Sequence, residues 1–205
     1  IGLAEESGLI LPMGYWVLDS ACAQLKAWQA DALTCDLVLS VNVSAKQFHH
    51  IDFVAQVAEV VHRHAINPAR LVLEITESLL LKNMENVIAT MHVLKGIGVR
   101  FSLDDFGTGY SSLQYLKRLP IYQLKIDQSF VRELVVDRSD RAIVRTIIAM
   151  AQTLHLDVIA EGVETPEQRL LLLHKGCSHF QGYLFSKPVP LAEFENLLTL
   201  PAAIA

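Results

Sequence analysis

The sequence predicts an α/β fold of parallel strands closed into a (β/α) barrel. Three observations lead there. Short β-rich runs alternate with amphipathic helical stretches along the 205 residues, and such alternation implies parallel strands joined by right-handed crossovers. Each of several β runs begins apolar and sets a polar or charged residue near its C-terminal end: Asn42, Glu74, Asp104, Lys125 and Glu161. No Ser/Gly linker, charge block or low-complexity tract breaks the pattern, so residues 1–205 read as one domain. An open doubly wound sheet would spread its strand ends along a line, whereas a barrel gathers them round one mouth. Chemistry at so many strand ends favours the barrel.

The elements follow in order. "LPMGYWVLDSACAQLKAW" (11–28) is helical, with Trp16, Leu18, Cys22, Leu25 and Trp28 available for its buried side. The β runs span 37–44, 71–78, 99–105, 122–128, 157–164 and 179–185. Between them, Val54, Val57, Val60 and Val61 recur at helical spacing, as do Val87, Ile88, Met91 and Leu94. Residues 141–155 form a long helix, apolar over much of its surface. A further helix starts with Thr165 as N-cap, Pro166 at the first helical position and Gln168 three residues after the cap. Its dense leucines read as core rather than as a zipper for a partner.

Composition narrows the class. The chain is 52% hydrophobic and 19% charged, as in a globular protein with a large core. Its net charge is -5 and no basic stripe appears, which argues against a nucleic-acid polymer or a membrane surface as partner of this domain. Cys22, Cys35 and Cys177 are odd in number and in no metal-like spacing; they read as buried small hydrophobes of a reducing, cytoplasmic compartment. No charged-then-apolar leader and no apolar run of 18 or more residues occurs. A membrane anchor on a longer parent protein remains compatible with this, and the opening "IGLAEESGLI", without an initiator Met, is expected to be an internal start.

Period-2 geometry puts Ser40, Asn42 and Ser44 on one strand face, Val72, Glu74 and Thr76 on the next, and Ser102 with Asp104 on a third. Lys125 and Asp127 share a face of a fourth. If these faces point into the barrel mouth, Asn42, Glu74 and Asp104 converge. Two carboxylates and an amide oxygen are hard ligands suited to Mg²⁺ or Mn²⁺ and poorly suited to zinc. Asp105, on the turn, can reach a second ion, with Asp104 bridging the pair. Adjacent carboxylates repel unless a cation sits beside them. The Gly107-Thr108-Gly109 stretch has too few glycines for a dinucleotide or Walker loop. It reads as a mobile loop that carries Asp105 over the metals. The eight histidines read as surface or capping residues. No Gly-x-Ser-x-Gly supports a serine hydrolase.

"NVSAKQF", "LEITES", "DDFGTGYSSL", "LKIDQSF", "AEGVET" and "QGYLFSKP" stand in the order and spacing of one family. Across essentially its whole length the chain resembles the EAL-domain cyclic di-GMP phosphodiesterases. The resemblance implies a modified (β/α)8 TIM-type barrel with one antiparallel strand. It implies hydrolysis of one phosphodiester of cyclic di-GMP to linear pGpG with two Mg²⁺ or Mn²⁺ ions. It makes Asn42, Glu74, Asp104 and Asp105 metal ligands. Lys125 becomes the lysine that orients or helps activate the attacking water. Glu161 becomes the catalytic glutamate, as general base or as a metal-linked acid. Gln181 would hold water or the metal shell, and Glu77 would anchor the Asp105–Gly109 loop. A homodimer is a further expectation.

Two departures accompany the resemblance. The Glu-Ala-Leu triplet of the family's first strand, with its metal-binding glutamate and a following phosphate-holding arginine, is not in this sequence. Gly2 stands where the family usually has proline. The barrel is therefore expected to be incomplete at its N-terminus and the 205-residue chain to be a poor phosphodiesterase by itself. The alternative from another class is a catalytically silent EAL domain that binds cyclic di-GMP or a partner protein as a receptor. Retention of Asn42, Glu74, Asp104, Asp105, Lys125 and Glu161 favours the enzyme.

Overall fold

The β-rich runs do become strands, most of them shorter than their apolar patterns suggest, though the third keeps its seven residues. The structure is a computed structural model that describes residues 1–81, 83–108 and 113–199. Contacts divide the chain into two compact units, Ile1–Leu124 and Lys125–Ala205, with the boundary inside one strand.

The first unit contains α1 (Gly2–Ser7), α2 (Ile10–Trp28), β1 (Leu39–Asn42), α3 (Ala45–Phe48), α4 (Phe53–His64), β2 (Leu71–Thr76), α5 (Met84–Ile97), β3 (Arg100–Phe106) and α6 (Leu113–Leu116). It ends in the first half of β4 (Gln123–Ile126). These strands lie side by side in chain order. β1 and β2 are parallel with Asn42 opposite Glu74. β2 and β3 are parallel with Glu74 opposite Ser102 and Thr76 opposite Asp104. Side chains at matched positions of parallel strands share a face. One face is polar, carrying Ser40, Asn42, Glu74, Thr76, Ser102 and Asp104. The other carries Val41, Leu71, Leu73, Ile75, Phe101 and Leu103, all buried. Phe48 meets Phe53 and Phe101 at centroid distances of 5.5 and 6.5 Å, packing α3 and the start of α4 on β3.

The second unit continues from Lys125 through α7 (Gln128–Arg132), α8 (Arg138–Thr153), β5 (Asp157–Ala160), α9 (Pro166–His174), β6 (His179–Phe180) and α10 (Leu191–Thr199). β5 and β6 are parallel. The capping box read from the sequence is made: the Gln168 N–H donates to Thr165 Oγ1 at 3.2 Å, and the Thr165 N–H donates to Gln168 Oε1 at 3.0 Å. The other end of the Gln168 amide donates to the Val131 carbonyl at 3.1 Å, so one buried side chain caps α9 and ties it to the end of α7.

Several expectations are corrected. Trp16 is 68% exposed, because the buried stripe of α2 runs through Ile10, Gly14, Leu18, Ala21, Cys22, Leu25 and Trp28. Position 16 lies about 200° round the helix from position 18. α8 begins at Arg138 and buries a single stripe of Val144, Ile147, Ile148 and Ala151; Ile143 is on the exposed side. In α9 only Leu172 of the four leucines is fully buried, while Leu170 and Leu173 are exposed. Four consecutive positions cover all sides of a helix, so they cannot all face a core. Cys35 is half-buried, unlike Cys22 and Cys177. No helix among the described residues is long and apolar enough to cross a membrane.

α2 and α4 are joined at the surface by Asp19, which accepts from Arg63 at 2.7 Å and meets His64 Nε2 at 2.6 Å. The hydrogen bond from His64 holds the Asp19 carboxyl below its ordinary value; desolvation opposes it, and the Arg63 and His64 charges add to the lowering. A depressed carboxyl stabilises the fold above its unfolded pKa, and that contribution is lost as pH falls through the folded value. Asp19→Asn should lower stability by about 1 kcal/mol or less at pH 6, the pair being partly exposed. The gap to the unsubstituted chain should close in strong acid, as read by urea midpoints across the pH range. Thr165→Ala removes one half of the capping box and should cost about 1 kcal/mol in the same assay.

Candidate active site

Two constellations emerge, one in each unit. In the first, Asn42 ends β1, Glu74 lies on β2 and Asp104 lies on β3. Neighbouring strands stand about 4.8 Å apart. The register therefore sets Asn42 and Glu74 side by side on the polar face, with Asp104 one row further toward the strand ends. Glu74 is only 7% exposed. A buried carboxylate must be compensated by cations or donors, and this donor set of carboxylate and amide oxygens fits a hard divalent cation.

Asp105 departs from the simple turn expected. β3 runs on to Phe106, and Asp105 sits inside it at φ 55°. Asp and Asn tolerate this left-handed conformation better than most residues. The Asp105 N–H donates to Asp104 Oδ1 at 3.0 Å, so the reversal is closed by its neighbour's carboxylate. Beyond it, the Gly107 N–H donates to Glu77 Oε2 at 3.2 Å. Glu77 is 3% exposed and opens the 3-10 turn Glu77–Leu81 after β2. Of the expected loop, Gly109 lies outside the described residues, as do Tyr110, Ser111 and Ser112 of the same motif.

In the second unit, Lys125 Nζ lies 2.6 Å from Glu161 Oε1, with side chains 4% and 16% exposed. Glu161 follows β5 directly and its N–H donates to the Ile126 carbonyl at 3.1 Å. The two expected catalytic residues are thus in direct contact. Gln181 follows β6 at the surface; its N–H donates to Ala160 and its carbonyl accepts from Val163. Two glycines permit this packing. A Cβ on Gly182 would lie 2.2 Å from the Val163 carbonyl oxygen, and one on Gly162, at φ +68°, would lie 2.6 Å from Gln128 Cβ. A cavity of about 790 Å³ opens here, lined by Glu161, Gln181, Gln128, Tyr183, Lys187 and Phe194 among others. Sequence reasoning had not singled out the last four. Tyr183 and Lys187 did carry a signal, since both fall in the "QGYLFSKP" run, and they face each other with Nζ 5.4 Å from the ring centroid.

His64 pairs with Asp19, and His49 and His50 line a separate cleft with Asn83, Asn86 and Thr90.

The family model described as the EAL domain matches residues 1–188. The chain belongs to the EAL domain family. MucR of Pseudomonas aeruginosa, a bifunctional diguanylate cyclase/cyclic di-GMP phosphodiesterase, is 46% identical over 188 residues. That match takes in 92% of this chain and 27% of MucR, so the chain spans about a quarter of that relative. The solved PaMucR phosphodiesterase in complex with c-di-GMP superposes with a TM-score of 0.91 at 44% identity, over 94% of this chain and 78% of that one. Klebsiella pneumoniae BlrP1 in its manganese/cyclic di-GMP complex matches with a TM-score of 0.72 at 29% identity, over 85% of this chain and 45% of BlrP1. The EAL fold is the TIM-type α/β class that strand–helix alternation predicts.

The Lys125–Glu161 contact gives a stability test separate from catalysis. Lys125→Met keeps much of the side-chain volume but takes the ammonium from a largely buried carboxylate. Removing one partner of such a pair costs about 3–5 kcal/mol. The denaturant midpoint should fall accordingly, and Lys125→Met/Glu161→Gln should recover a substantial part of the loss.

Proposed function

We propose that the EAL domain to which residues 1–205 belong hydrolyses one phosphodiester of cyclic di-GMP to linear pGpG. The observation that carries the reading is the row of hard oxygen donors at the ends of parallel strands, Asn42 beside Glu74 with Asp104 and Asp105 above. The likeness to MucR and to its c-di-GMP complex supports the substrate. The manganese complex of BlrP1 supports a divalent cation.

Asn42, Glu74, Asp104 and Asp105 would hold Mg²⁺ or Mn²⁺, for which their donor chemistry is suited. Such ions supply positive charge for a phosphodiester and acidify nearby water. The protein's own part is to hold and move a proton. Glu161 accepts the proton of the attacking water, while the Lys125 ammonium 2.6 Å away favours its ionised form and fixes its direction. The water oxygen bonds to phosphorus, the ester oxygen leaves, and a proton returns to that oxygen. Gln181 is assigned to hold water at the edge of the second unit's cavity. Glu77 is assigned to support the backbone beyond Asp105 through Gly107.

Asp104→Asn changes charge with little change in volume. It should abolish pGpG release while far-UV circular dichroism and thermal midpoint stay near those of the unsubstituted chain. Glu161→Gln should lower kcat by about 10²-fold or more, the scale of general acid–base catalysis, with cyclic di-GMP binding retained. Full turnover by Asp104→Asn would overturn the metal-dependent reading. A chain extended through the Glu-Ala-Leu strand that binds cyclic di-GMP with Mn²⁺ present and releases no pGpG would be a receptor instead.

A further inference from the structure

Beneath the proposed metal ligands lies a buried neutral pair whose geometry is specific. Ser102 precedes Asp104 by two residues on the same face of β3 and is fully buried. It is also the register partner of Glu74 on β2, so it stands one step from two of the acids. Its hydroxyl donates to Gln123 Oε1 on the first half of β4 at 3.1 Å. Gln123 is 7% exposed. The Tyr122 hydroxyl reaches that same oxygen at 3.4 Å, and the Arg100 guanidinium lies 4.4 Å from the centre of the Tyr122 ring.

Two hydroxyl donors on one amide oxygen fix which end of the Gln123 side chain faces β3, because the NH₂ end could accept from neither. Buried polar groups lose more when their bond is broken than they gain when it is made. The pair therefore holds β3 against β4 at one height and in one orientation, in the row directly below Asp104. Neutrality matters as well. A carboxylate at either position would add a further negative charge to a region that already holds Glu74, Asp104 and Asp105.

We propose that Ser102 and Gln123 are positioning residues of the metal site, their hydrogen bond setting the height and direction from which Glu74 and Asp104 meet a divalent cation. This rests on the metal-dependent reading above and adds two residues to it. Groups that orient metal ligands from behind commonly change metal affinity by about 10- to 100-fold when removed.

The test is a calorimetric titration of the full chain with Mn²⁺ alone, alongside thermal unfolding in metal-free buffer. Ser102→Ala and Gln123→Met should each weaken Mn²⁺ binding by about tenfold. The double variant should be little worse than either single one, since both remove the same bond. Ser102→Thr, which keeps a hydroxyl, should restore affinity toward that of the unsubstituted chain. Gln123→Met keeps the proposal testable if Ser102→Ala unfolds. Folded variants that bind Mn²⁺ as tightly as the unsubstituted chain would overturn the positioning role while leaving the phosphodiesterase reading intact. An unsubstituted chain that binds no Mn²⁺ would overturn both. One that binds Mn²⁺ but hydrolyses no cyclic di-GMP would overturn only the activity, and the variants' affinities would still decide the positioning role.

Discussion

Parallel pairing in strict register is the constraint on which the first unit depends. Side chains alternate faces along a strand, so a slip of one residue between β1 and β2 would move every polar group to the helix-packed side. The apolar partners Val41, Leu73 and Phe101 prevent that slip, since they are buried against helices and have no polar alternative. With them in place, Asn42, Glu74 and Ser102 fall in one row, and Asp104 falls in the next beside Thr76. Packing behind the sheet thus fixes chemistry in front of it.

Charge compensation is then solved differently in the two units. In the second, a lysine and a glutamate neutralise each other at 2.6 Å in a largely buried setting. Such pairs gain little net stability over an apolar pair but are costly to break. In the first, β2 and β3 carry Glu74, Asp104 and Asp105, and the Arg100 guanidinium lies over the Tyr122 ring. Under the proposed function, that donor set would hold a divalent ion.

Backbone detail completes the arrangement. Asp105 takes a left-handed conformation inside β3, closed by a bond from its own N–H to the preceding carboxylate. Two consecutive acids can then bring carboxylate oxygens within 4.8 Å of each other instead of pointing to opposite faces. Glu77 holds the next glycine through its N–H, so a buried acid from the end of β2 acts on the segment that follows β3. Gly182 allows the chain after β6 to pass against Val163 at a distance that no Cβ would permit.

Much of this was legible in the residues themselves. Strand–helix alternation determined the fold class, period 2 determined which polar residues share a face, and the Thr165–Gln168 pattern determined a helix start, because each depends on chemistry a few residues apart. Tertiary structure decided what local pattern leaves open. Trp16 and the leucines of α9 are apolar by type, yet which side of a helix becomes buried depends on the elements packed against it. Gln123 is an unremarkable polar residue until β3 places Ser102 against it. The Lys125–Glu161 contact joins residues 36 positions apart in the numbering and exists only because the chain end after β5 returns to β4. A sequence states which groups are present and how they alternate; only the folded chain sets the distances at which distant groups compensate one another's charge.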